Sequence, residues 1–316
     1  MATVGITALI PPEITYGTGN TPLDINNLVP RSKVVPRDKL CAWTAVWREL
    51  ALKGRIKLDR LVVVAGGDCN NALVDGERLE GAGTPTHYFT YPFDGSRARM
   101  KEEIQRLIEF LGGSCDRGLF REVGRIKRLA RRIDMWRVRG EVDPEKAFAI
   151  EVAGSDLGGD LEGFRKRLEG LEREKVDYDY PVALIGTPPI YPDFHRFLSS
   201  IGLHVVYDEM PYEFIRLGGS SITGLAESYG GYTFSRHITT RLEAIERELR
   251  KRKAEAVIHN YQFACHHKLE DRILRDRLNR ELGYPYISIE GDLPSRTPEQ
   301  TKLRLEAFKE RLGGYL

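Results

Sequence analysis

From Val182 onward the chain alternates short, mainly apolar runs with polar stretches of helical period, and this alternation constrains the fold of the 316 residues more than any other feature. The runs are Val182–Ile185, His204–Tyr207, Ala256–His259 and Tyr286–Ile289. Helical patterns lie over about 193–200, 239–253, 268–282 and 298–312. Short runs without polar alternation are strands buried on both faces, and strands separated by whole helices pair in parallel. The spacing predicts βαβ units and a doubly wound parallel sheet.

The first half carries a second set of signals. Leu61-Val62-Val63-Val64-Ala65, closed by Gly66-Gly67, reads as another strand buried on both faces, and Tyr88-Phe89-Thr90-Tyr91 as a further strand. A helix is expected from Asp38 to about Leu52, while the first 30 residues, punctuated by Pro11, Pro12, Gly17, Gly19, Pro22 and Pro30, read as extended and turn structure. Two amphipathic helices between about 96 and 139 form a helical layer or insertion, with Ile104, Leu107 and Leu111 on one and Val123, Ile126 and Ile133 on the other. The turn-rich stretch 153–161 precedes a charged helix over 160–174 and marks a boundary between residues 1–157 and 158–316. The expected fold class is α/β: two doubly wound parallel-sheet domains of flavodoxin or Rossmann type with a helical layer. A long Gly-rich loop is expected between Tyr207 and Thr239, its segment 227–232 serving as a mobile lid or as plain surface.

Charge narrows the partners. With 48 basic and 46 acidic residues the formal charge is +2, which gives no reason to expect nucleic acid. No stretch reaches the roughly 18 to 20 apolar residues of a membrane span, and Pro11, Pro12 and Glu13 stand where a signal peptide needs an apolar core, so no membrane contact and a cytoplasmic location are expected.

Three of the four cysteines sit where a strand ends or a helix begins, the edge at which an α/β sheet presents its reactive groups. Cys69 follows the strand 61–65, Cys265 follows the strand 256–259, and Cys41 lies in the opening turn of the first helix. A helix amino terminus lowers a thiol pKa, and soft thiolates select iron-sulfur clusters, zinc or copper(I). Spacings of 28 and 196 residues match no zinc-ribbon pattern. On spacing alone, ordinary buried thiols remain the competing reading.

The residues around these cysteines carry a resemblance. Pro11-Pro12-Glu13-Ile14 through Gly17-Thr18-Gly19, the strand ending in Asp68-Cys69-Asn70, the strand ending in Asp208-Glu209, and Glu290-Gly291-Asp292 followed by Gln300, Arg304 and Glu306-Ala307-Phe308 occur in order. Together they resemble the 2-hydroxyacyl-CoA dehydratase and benzoyl-CoA reductase subunits. The resemblance implies that Cys41, Cys69 and Cys265 bind one [4Fe-4S] cluster with an open iron site, in the cleft between two domains. It implies an ATP-dependent activator iron-sulfur protein as electron donor, an acyl-CoA-type substrate, a ketyl radical formed at its thioester, and a dimer with a homologous or identical subunit. Ser295-Arg296 departs from the family's Asp-x-Arg element, and four cysteines are too few for its double-cubane branch.

Other residues keep two readings each. Cys115, in a turn between two helices, is a free thiol or a fourth ligand. His266 and His267 donate a proton to a leaving hydroxyl, or cap the next helix. Glu13 and Asp68 orient substrate, or serve as plain capping carboxylates. The basic run 121–139 docks phosphates or an acidic partner, or is a solvated helix face. At the level of function, an accessory electron-transfer subunit without acyl-CoA turnover and a zinc-binding or metal-free module stand beside the dehydratase reading.

Overall fold

The computed structural model describes residues 2–65 and 68–314, and these form two four-stranded parallel sheets wrapped by helices. The first sheet contains β1 (Thr3–Ile6), β2 (Thr21–Asp24), β3 (Arg60–Ala65) and β4 (Thr86–Thr90), in the order β2-β1-β3-β4. The second contains β5 (Tyr180–Gly186), β6 (Leu203–Asp208), β7 (Ala256–Gln262) and β8 (Tyr286–Gly291), in the order β6-β5-β7-β8. The two orders are equivalent: in each sheet the second strand joins one side of the first and the third strand joins the other. Each sheet therefore has a topological switch point between its first and third strands, where α/β proteins open their ligand crevices. The expected α/β class with two parallel-sheet units is what the chain adopts. The Gly66-Gly67 turn lies outside the described residues.

Side-chain alternation along the strands explains why the apolar runs are unbroken. Leu61 and Val63 share a core with Val182, Leu184, Ala256 and Ile258, so one apolar layer, filled by Trp47, Phe194 and Phe308, joins the facing surfaces of both sheets. Val62 and Val64 point the other way, into a core with Ile104, Leu107 and Phe120. Ala183, Ile185 and Val257 point into a third, with Ile245 and Leu249. Both faces of each sheet are thus removed from water, the condition that favours continuous β-branched sequence.

Helices α1 (Pro12–Gly17), α2 (Ala42–Leu52) and α3 (Asn70–Gly81) accompany the first sheet. A helical layer follows: α4 (Arg97–Leu111), α5 (Gly118–Val138), α6 (Pro144–Ala153) and α7 (Leu161–Glu169). The second half adds α8 (Phe194–Ser200), α9 (Glu209–Phe214), α10 (Ile222–Tyr229), α11 (Ile238–Arg252), α12 (Asp271–Arg275) and α13 (Glu299–Gly313). No helix among the described residues is long and apolar enough to cross a membrane.

Several short elements depart from expectation. The amino-terminal 30 residues supply two strands and a helix as well as turns, and α2 starts at Ala42 rather than Asp38 because Cys41 is its cap. α6 was not anticipated, and the charged helix stops at Glu169, before Gly170. The expected helix 268–282 is three pieces: a 3-10 turn (His266–Glu270), α12 and a π turn (Asp276–Glu281). The Gly-rich segment after β6 is no loop, because α9 and α10 lie in it. Tyr229 and Tyr232 are fully buried there, their hydroxyls donating to Glu13 Oε2 at 2.7 Å and Asp68 Oδ1 at 3.0 Å, so this stretch is neither a lid nor surface. The basic run is divided by the periodicity of α5: Lys127 and Arg137 are buried on ion pairs, while Arg121, Arg125, Arg128 and Arg132 face water.

Candidate functional site

Buried charge fixes the strand ends from which the site is built. Asp208, the last residue of β6, accepts from Arg137 of α5 and pairs with His195 Nε2 at 2.9 Å. Arg137 also reaches Asp134 at 2.6 Å and Glu151 of α6 at 2.8 Å. Next to it, Glu209 receives Arg241 of α11 through two bonds of 2.7 and 2.8 Å and takes the Gly186 N–H at 2.7 Å. A bidentate guanidinium clamp on a fully buried carboxylate holds these elements in one geometry. The Asp-Glu pair noted in the sequence therefore anchors the helices to the second sheet.

The carboxyl ends of the strands meet around one cavity of about 160 Å³. Ala8 after β1, Asp24 at the end of β2, Asp68 and Cys69 after β3, Thr187 after β5, Met210 after β6 and Gln262 and Cys265 at and after β7 all line it, joined by Cys41 and Thr44 from the start of α2. Cys69 and Cys265 occupy equivalent places, each just beyond the third strand of its sheet, at the switch point. Ala8 and Ala264 both hold left-handed backbone, with φ of 53° and 58°, a conformation costly for a residue with a side chain. Both strained residues adjoin the cavity: Ala8 lines it and Ala264 immediately precedes Cys265.

All three cavity cysteines occupy the cap position of the helical turn that follows: Cys41 of α2, Cys69 of α3 and Cys265 of the 3-10 turn. Cys69 Sγ accepts from the Ala72 N–H at 3.3 Å. Burial pushes all three thiols above the ordinary range, Cys265 to about 12, against the opposing pull of the N–H groups of Thr44 and Trp43 on Cys41, Ala72 on Cys69 and His267 on Cys265. At neutral pH these are protonated thiols, and a metal bound here must displace their protons.

Three buried polar atoms at the cavity wall lack partners among the described residues: Trp47 Nε1, Asp68 Oδ2 and His267 Nε2. The other ring nitrogen, His267 Nδ1, lies 2.9 Å from Glu270 Oε2. Burial works against the Glu270 charge, but the His267 hydrogen bond and the Arg241 charge hold its carboxyl down at about 2. Asp24 behaves oppositely: burial, then the neighbouring Asp156 carboxylate, push it up to about 7.

Among the described residues no three His, Cys, Asp or Glu side chains form a group able to hold one metal ion. Zinc draws sulfurs to about 2.3 Å from a single point, so the cysteines as they stand do not make a mononuclear zinc site. An iron-sulfur cube has its own bulk and holds its thiolates farther apart, and soft donors on several sides of one cavity suit it.

The remaining sequence candidates lie elsewhere. Glu13 is fully buried beneath Tyr229 and Lys127 and does not line the cavity. His266 is half-buried and packs against His267 with its ring tilted by 39° and 4.0 Å between ring centroids, without lining the cavity itself. Cys115 packs half-buried against the core beneath Gly17, also away from it. Sequence reasoning missed Asp24, because β2 was not recognised as a strand and its final carboxylate could not be assigned to a sheet edge. Arg241 was missed too: a charge within a helix carries no sign that it will be buried.

A model of the 2-hydroxyglutaryl-CoA dehydratase D-component family matches residues 7–312, nearly the whole chain. The chain belongs to that family. No curated protein matches it. Membership makes it a subunit of 2-hydroxyacyl-CoA dehydratase type.

Proposed function

We propose that this chain is the cluster-bearing subunit of a reductive 2-hydroxyacyl-CoA dehydratase or related reductase, with one [4Fe-4S] cluster held by Cys41, Cys69 and Cys265. The observation that carries the reading is that three cysteines from separate parts of a chain of this family line one cavity at the carboxyl edges of both sheets. When bound, such a group supplies a low-potential electron and, with three protein ligands, an open iron for an oxygen of the substrate.

The chain's own residues would do the rest. Trp43, Trp47, Phe148 and Phe214 exclude water from the cavity and strengthen every polar contact inside it. Asp68 Oδ2 and His267 Nε2, two of the unpartnered wall atoms, stand where a substrate oxygen or its proton would be held. In this reading the halves 1–157 and 158–316 close on the cluster, an ATP-dependent activator iron-sulfur protein delivers electrons, and a homologous or identical subunit completes the enzyme.

The test is to load the chain anaerobically with iron and sulfide, add an ATP-hydrolysing activator of this type, and follow both the paramagnetic signal of the cluster and loss of water from a 2-hydroxyacyl-CoA. Electron arrival with turnover supports the proposal. Electron arrival without turnover of any 2-hydroxyacyl-CoA reduces the chain to an accessory electron carrier, and a protein that takes up no iron refutes both readings.

A further inference from the structure

Resting on the acyl-CoA reading, we infer that the cavity accepts an uncharged, apolar acyl group and rejects a dicarboxylic one such as glutaryl. The juxtaposition that carries this is a cavity wall with two carboxyls, Asp24 and Asp68, and, among the described residues, no lysine or arginine. A second carboxylate on the acyl chain would lose its water there with no cationic side chain to pair it.

Among the described residues, the basic groups around the cavity are already engaged. Arg241, a buried guanidinium whose charge reaches Asp68, spends Nε and Nη2 on Glu209 and Nη1 on Glu270, and Arg48, one turn after Thr44, is held by Asp75 and Asp38. Lys39, close to Cys41 in sequence, is paired with Asp292. His267 Nδ1 is engaged by Glu270, and its Nε2 is the atom assigned to the substrate oxygen or its proton, so it is not left over for a second carboxylate. The neutral amides already donate within the protein: Asn26 Nδ2 to Asp24 at 3.1 Å, Asn27 Nδ2 to Ser155 at 3.4 Å and Gln262 Nε2 to the Asp292 carbonyl at 3.1 Å; Trp47 Nε1, unpartnered, is a neutral donor that cannot balance a carboxylate charge. The backbone N–H groups at the helix starts face the cysteine sulfurs.

What the wall offers instead is apolar surface from Trp47, Phe148, Val152, Met210 and Phe214. An apolar wall tolerates extra or missing methylenes within modest factors but discriminates strongly against a charge it cannot pair. The family's hydroxyglutaryl label therefore does not describe the acyl group that this member's cavity fits.

Trp43 and Trp47 line the cavity and report on it, so binding is read by quenching of their fluorescence in the full chain. The probes are 4-methylpentanoyl-CoA and glutaryl-CoA, which share the CoA moiety and differ in the acyl end. The neutral thioester should bind at least tenfold more tightly, equivalent to about 1.4 kcal/mol. Val152→Arg, which places a cation on the wall, should narrow or reverse that ratio by a similar factor; Met210→Lys serves if the first variant does not fold. Equal or tighter binding of glutaryl-CoA by the parent chain, or a folded cationic variant with an unchanged ratio, overturns the inference and leaves the acyl-CoA reading standing. Failure of both thioesters to bind overturns the acyl-CoA reading and this inference with it.

Discussion

Replacing Arg241 by Met tests whether the clamp behind the cavity behaves as its geometry requires. Arg241 is 1% exposed and makes two bonds to Glu209, itself 1% exposed, together with a third to Glu270. Met fills similar space but leaves Glu209 as a buried anion whose remaining donor is the Gly186 N–H. Removing one member of a buried pair costs about 3–5 kcal/mol, most of it the uncompensated charge of the other. For a folding unit of 150–250 residues, about 2–4 °C of melting temperature accompanies each kcal/mol, so the midpoint should fall by roughly 6–20 °C. The assay is thermal unfolding at pH 7, followed by circular dichroism, of the parent, Arg241→Met, Glu209→Gln and the double variant. Glutamine keeps an acceptor for Gly186 without the charge, so the double variant should recover more than half of the loss. A single-variant shift below about 2 °C, or a double variant no better than Arg241→Met, would refute the claim that charge compensation holds this edge together.

Two further perturbations read other parts of the same framework. Asp24, pushed from 3.8 to about 7 by burial and then by Asp156, contributes stability that is full below about pH 4 and is lost as the pH rises through about 7. Asp24→Asn should therefore melt increasingly above the parent from pH 5 to pH 8, by up to about 4 kcal/mol at 1.36 kcal/mol per pH unit, and a pH-independent difference would contradict this. Gly186 has φ of 91°, and a Cβ there would lie 2.1 Å from the Asn260 carbonyl oxygen, so Gly186→Ala should lower stability by more than about 2 kcal/mol in denaturant titration; a neutral effect would mean that β5 and β7 separate freely at the cavity.

The legibility of this chain followed the physics of burial. β3, β5 and β7 were readable because strands covered on both faces need consecutive apolar residues, and Val62-Val63-Val64 divides between two cores as that rule requires. β1 and β2, at four residues each, are too short to show a period. Pro22 reads as punctuating extended and turn structure, and it fits in β2 because that strand lies at the edge of its sheet, where a missing N–H donor costs little. α1 begins with Pro12 at a position where no intrahelical donor is needed, and six residues are too few to reveal amphipathicity. α10 was hidden by Gly218, Gly219, Gly230 and Gly231 on either side, although Ser221 caps it by accepting from the Gly224 N–H at 3.1 Å.

At the site, the cysteines were legible because strand ends and helix starts are local features, whereas the cavity wall was not. Phe148 and Val152 come from a helix the sequence concealed, and nothing local marks Trp47 as facing a cavity. The unpartnered atoms of Asp68 and His267 depend on which side chains fail to reach them, a tertiary property that no local pattern encodes. The pairing of Glu13 with Lys127 and Tyr229 joins residues more than 100 positions apart, beyond the range of any motif.

Iron and sulfide analysis of anaerobically reconstituted protein, repeated with Cys41, Cys69, Cys265 and Cys115 each changed to Ser, bears most directly on the account. The parent and Cys115→Ser should each hold about four irons and four sulfides per chain, and each of the other three variants should lose most of both. Undiminished iron in the Cys41, Cys69 and Cys265 variants, or a parent that binds one zinc and no sulfide, would contradict it.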